Sequence, residues 1–218
     1  MESEIIEICE NMELLENAKL AENPKIRRDG KYFNNKIFGY IKANEFEKAL
    51  EVYEEALECN AAAPGVFANA EIASNVLCDF DKTIEIYNKA KSKSRTNANV
   101  FSECAFAYNN KRNYYMTINV YKYALHVNER ISKDNGFLNS NLFNNAIVAS
   151  NRMEKYNLSL KIYDKASLTN NLNEDICKEA INAAIKSKNY DFIKIIKADL
   201  TYLKNKNSKT AYVRGSEI

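Results

Sequence analysis

The chain has 218 residues, 46% of them hydrophobic and 28% charged, which is enough apolar content to bury a core and too much for a disordered chain. Five glycines and two prolines are too few for the many turns of a β-rich fold, so the composition points to long helices. A formal net charge of +2 excludes a strongly basic nucleic-acid footprint over the whole surface.

In chain order, residues 2–21 read as an amphipathic helix with Ile5, Ile8, Met12 and Leu15 on one face, stopped by Asn23-Pro24. Residues 1–23 are therefore expected to be a capping helix. From residue 30 onward the chain repeats itself. "EKALEVYEEA" (47–56) returns 34 positions later as "DKTIEIYNKA" (81–90). The shared pattern is a small residue, then Tyr, then Ala at i, i+4 and i+7, which is one helical face. It occurs at Ala49/Tyr53/Ala56, Thr83/Tyr87/Ala90, Thr117/Tyr121/Ala124 and Ser159/Tyr163/Ala166. A degenerate copy follows at Ile193/Lys197/Leu200. Spacings are 34, 34, 42 and 34.

A second aromatic column precedes each small residue: Phe46, Phe80, Tyr114, Tyr156 and Tyr190. A third consists of Phe33, Phe67, Phe101 and Phe143, with Cys177 in the fifth copy. Each unit then holds a first helix beginning near the Phe and a second helix carrying the Tyr-x-x-Ala face. One such pair cannot bury its apolar face alone, so the units must stack. The expected architecture is an all-α, right-handed solenoid of about five helix-turn-helix units near 30–63, 64–97, 98–139, 140–173 and 174–203. Gly30, Gly65 and Gly136 fall at the seams, as helix ends favour. The extra residues of the third interval fall within "HVNERISKDNGF", as a longer second helix or a loop. Residues 204–218 show no periodicity and are expected to be a flexible tail.

A two-helix unit of 34 residues with these columns resembles the tetratricopeptide repeat. In that pattern the first-helix aromatic is position 4, the second-helix Tyr is 24 and the Ala is 27. This sequence departs from it at position 8, usually small, where it has Ile37, Glu71, Ala105, Ile147 and Ile181. The units at 31–58 and 142–166 also resemble pentatricopeptide repeats. That likeness implies single-stranded RNA read through Asn34, Ala68, Ser102, Asn144 and Lys178, with Ala63, Asn97, Asn139 and Asn173 at the unit ends.

The first helices should line the inner surface, and their outward positions are rich in asparagine. Candidate ligand contacts are Asn34, Asn35, Asn69, Asn75, Asn109, Asn144, Asn145 and Asn151, with Ser102. Asparagine both donates and accepts, which suits a peptide backbone or a base edge. Lys42 and Arg152 supply positive charge at corresponding positions. The Lys/Asn clamp by which tetratricopeptide repeats hold a terminal carboxylate is not in register here.

No catalytic constellation emerges. Cys9, Cys59, Cys78, Cys104 and Cys177 form no CxxC pair and are expected to be small buried residues with free thiols. His126 is the single histidine, so a Cys nucleophile lacks an obvious base and a metal lacks ligands. Neither cofactor nor metal is expected. The acidic N-terminus and the absence of a long apolar run point to an intracellular, reducing compartment, the cytoplasm before an organelle, and to no membrane partner. The reading is a non-catalytic scaffold that holds a partner protein or extended peptide, with a place in a larger complex. The alternative is pentatricopeptide-type binding of single-stranded RNA in its processing, stability or translation.

Overall fold

The computed structural model describes residues 29–131 and 136–215. The expected N-terminal capping helix lies outside these residues. Ten helices follow one another, and no strand occurs among the described residues. They are α1 (Gly30–Lys42), α2 (Phe46–Glu58), α3 (Pro64–Val76), α4 (Phe80–Ser92), α5 (Ala98–Asn110), α6 (Tyr114–Ile131), α7 (Ser140–Arg152), α8 (Tyr156–Leu168), α9 (Glu174–Lys186) and α10 (Tyr190–Gly215). They pair as five antiparallel hairpins, and each first helix also packs on the first helix of the next unit. The second helices do not pack on one another and meet only through side chains, as in Lys82–Glu54 at 2.9 Å. First helices are thus crowded and second helices splayed, which curves the array with α1, α3, α5, α7 and α9 inside.

The repeated columns are the core. Phe33, Phe67, Phe101 and Phe143 are fully buried, as are Ala56, Ala90, Ala124 and Ala166. Each repeat tyrosine packs edge-to-face on the Phe of the following unit: Tyr53 on Phe67 at 5.8 Å, Tyr87 on Phe101 at 6.1 Å, Tyr121 on Phe143 at 5.6 Å. Where the fifth unit replaces Phe by Cys177, Tyr163 turns to Phe192 instead, at 5.8 Å, and its hydroxyl donates to Asp199.

Most helix C-termini are built without glycine. After α1, the Asn44 N–H donates to the Ile41 carbonyl (3.0 Å) and the Glu45 N–H to that of Tyr40 (2.9 Å), a Schellman arrangement. It occurs at eight ends in all, always around a non-glycine residue in the left-handed region, among them Cys78, Glu154 and Lys188. No described glycine has positive φ. Gly65 serves another purpose. A Cβ there would lie 2.4 Å from the Asn34 Oδ1, so its absence admits the side chain of the preceding unit.

Three expectations change in detail. The long third interval is both helix and loop: α6 has 18 residues where the other second helices of units one to four have 13. The chain then folds back, with Phe137 against Phe101 and its N–H donating to Asn128 Oδ1 at 3.3 Å. The segment expected as a tail continues α10 to Gly215, since residues 204–214 contain neither glycine nor proline to stop a helix. The cysteines divide: Cys104 and Cys177 are buried free thiols, whereas Cys59 and Cys78 are exposed at helix ends. Cys9 lies outside the described residues.

The edge-to-face contact makes a measurable claim. Tyr87→Ala removes a ring that is 4% exposed and should cost about 3–5 kcal/mol, read as a lower urea midpoint.

Candidate interaction face

The asparagines of the inner helices do two different jobs. Asn75, Asn109 and Asn151 occupy the same position of α3, α5 and α7. Each accepts from the hydroxyl of its own unit's second helix: Thr83 Oγ1 to Asn75 (2.9 Å), Thr117 Oγ1 to Asn109 (3.0 Å), Ser159 Oγ to Asn151 (2.6 Å). Each also donates through Nδ2 to the next unit's first helix. Asn75 reaches the Glu103 carbonyl and carboxylate (3.2 and 2.9 Å), Asn109 the Asn145 carbonyl and amide Oδ1 (3.0 and 3.2 Å), Asn151 the Glu179 carbonyl and carboxylate (3.0 and 2.8 Å). These are clasps joining successive units. Asn75, Asn109 and Asn151, expected as ligand contacts, thus use both ends of the amide within the array. The small-residue column likewise gains a role: in units two to four its hydroxyl orients the clasp.

Other candidates also bond internally. Asn69 Nδ2 donates to Asn34 Oδ1 (3.1 Å) and Asn145 Nδ2 to the Ser102 carbonyl (3.1 Å). Ser102 is buried, donates to the Asn99 carbonyl (3.0 Å) and accepts from Asn139 Nδ2 (3.4 Å). The residues at the unit ends cap helices. Asn97, Asn139 and Asn173 accept from the backbone N–H of Val100, Leu142 and Ile176 at 2.9–3.0 Å. Of the expected contacts, Asn35, Lys42 and Arg152 are exposed. Asn144 is half-buried, and its Oδ1 takes no hydrogen bond.

What the sequence reading missed is apolar. Five residues after each column Phe stand Phe38, Ile72, Phe106 and Val148, a row crossing the inner face of four units. Phe38 and Phe106 are 48% and 42% exposed. Two adjoining cavities share Phe106 and Asn145. One, of 580 Å³, is bounded by Ile72, Val76, Glu103 and Asn144. The other, of 620 Å³, is bounded by Arg112, Tyr114, Val148 and Arg152. Both fall within the size range of ligand clefts. Reading the first helices column by column would have found this row, because its period is the same as that of the core Phe.

One buried carboxyl group stands beneath the face. Glu71, at the position usually small in such repeats, has no exposed surface, and neither carboxylate oxygen has a hydrogen-bond partner. Burial, with Glu103 close by, pushes its pKa well above the ordinary value. Glu103 shifts the same way, first through burial, while the Asn75 hydrogen bond opposes the shift. Among the described residues no group of three or more metal-ligating side chains exists, and no helix is long and apolar enough to cross a membrane.

The geometry defines an α-solenoid of stacked helical hairpins. Its likeness to solved structures agrees. YrrB, described as a TPR protein with an unusual peptide-binding site, matches at TM-score 0.57 and 13% identity over 86% of this chain and 92% of its own. MamA from Desulfovibrio magneticus RS-1 matches at TM-score 0.61 and 10% identity over 83% and 97%. MamA from AMB-1 matches at 0.54 and 14% over 80% and 98%. At these identities the likeness concerns the fold. No protein-family model matches the sequence, and neither does any curated protein.

The clasp is tested by a double-mutant cycle on Asn75→Ala and Thr83→Val. Each single substitution should cost about 1–3 kcal/mol by stranding buried polar groups, and the pair less than the sum. Glu71 predicts a pH dependence. Its folded pKa lies above the unfolded value near 4.5, so its penalty is absent below that pH and grows as pH rises toward the folded value. Glu71→Gln should therefore melt higher than the wild type at pH 7.5, with the difference shrinking toward pH 4.

Proposed function

We propose that this chain is a non-catalytic interaction scaffold that holds an extended segment of a partner protein along its inner face. The observation that carries this reading is the apolar row Phe38, Ile72, Phe106 and Val148, running across successive units between polar residues. A solvent-exposed apolar row of this kind marks an interaction site. Helical repeats place it along a curved track that suits an extended chain better than a compact ligand. The contacts are Phe106 with Asn35, Lys42, Asn144 and Arg152, the members of the polar set that keep exposed or unpaired groups. The peptide-binding site named for YrrB supports the same class of partner. Membership of a larger complex and a reducing intracellular location belong to this reading.

The RNA reading is not carried forward, because the asparagines expected at its unit ends are engaged within the array. Asn97, Asn139 and Asn173 are helix caps, and Asn139 also bonds Ser102, its partner in the expected base-reading pair.

A displayed library of random peptides tests the proposal. The wild type should retain a subset, and Phe106→Asp should lose it while melting at the same temperature, since Phe106 is already partly exposed. An unchanged peptide set with Phe106→Asp would move the site off this face.

A further inference from the structure

The two cavities beside Phe106 differ in charge. The larger is bounded by two cations, Arg112 from the turn after α5 and Arg152 from the end of α7, and by no acid. Both side chains are exposed, and neither is ion-paired among the described residues. Tyr114 and Val148 form its apolar wall. The smaller cavity has one charged residue, Glu103, whose carboxylate is held by Asn75 and whose partial burial favours the neutral form. The rest of that cavity is Ile72, Val76 and Phe106 with amides and Ser102.

Resting on the scaffold reading above, we propose that the inner face selects partner segments in which an acidic side chain lies close to an apolar one. The carboxylate enters between Arg112 and Arg152, and the apolar side chain enters the cavity of Ile72, Val76 and Phe106. Charge complementarity chooses the occupant. Two guanidinium groups with no internal acid attract a carboxylate and repel a cation, and guanidinium pairs carboxylates bidentately. The neighbouring cavity offers no cation to compete for it. Order along the segment follows, because the acid belongs toward α7 and the apolar residue toward α3. Arg112 and Arg152 come from consecutive units, so the acid-reading pair exists only in the stacked array.

The test uses an array of synthetic decapeptides of varied composition, probed with the full chain, with Arg112→Glu/Arg152→Glu and with Arg112→Lys/Arg152→Lys. Both positions are exposed, and unchanged melting temperatures check the fold. The wild type should favour peptides pairing Asp or Glu with Leu, Ile or Phe. Charge reversal should weaken the best of these about tenfold or more and shift selection toward Lys and Arg, whereas the Lys variant retains partial binding. Affinity of the wild type for that peptide should fall as NaCl rises. Peptide binding without acid preference, unchanged in the charge-reversed variant, would overturn this inference and leave the scaffold reading standing. Retention of no peptide by the wild type would overturn both.

Discussion

The contact between units depends on one tyrosine ring and one phenylalanine ring, repeated. A single helical hairpin here exposes an apolar face on each side and has no independent core. The edge-to-face pairs Tyr53–Phe67, Tyr87–Phe101 and Tyr121–Phe143 turn those faces into interior. Alanine above each tyrosine keeps the helices close enough for the rings to meet. Every other feature, including the inner face, follows from holding neighbouring first helices in register.

Polar clasps refine that register. Burial brings the hydrophobic columns together without specifying direction, whereas a hydrogen bond is lost by small displacements. Asn75, Asn109 and Asn151 bridge the second helix of one unit and the first helix of the next. The end units lack them: Ile41 with Ala49, and Ile185 with Ile193, stand at the same positions. The centre of the array, where the two cavities lie, is thus the part held by both kinds of contact. Glu71 works against it, as a carboxyl with no hydrogen-bond partner in the same region. Turns tolerate strain as well, since eight left-handed positions are filled by residues with a Cβ where glycine would be unstrained.

The fold was legible because periodicity is a linear property. Three columns at a 34-residue spacing impose two helices per unit, stacking, and the inner position of the first helices. The site was only partly legible. Asparagine on an inner helix looks the same in sequence whether it faces a ligand or bonds a neighbour, since the partner atoms lie on another helix. Thr83 and Glu103 complete the clasp of Asn75 from eight and 28 residues away. The apolar row was visible in principle, yet its members resemble core residues until exposure is known.

By itself, then, the sequence determined the class of fold and the core columns, because both depend on spacing along the chain. Tertiary structure alone decided which asparagines are spent inside the array, that α10 continues to Gly215, and that Phe106 lies beside Arg112 and Arg152. Those outcomes depend on distances between helices that are remote in sequence, and the curvature produced by close first helices and splayed second helices sets them.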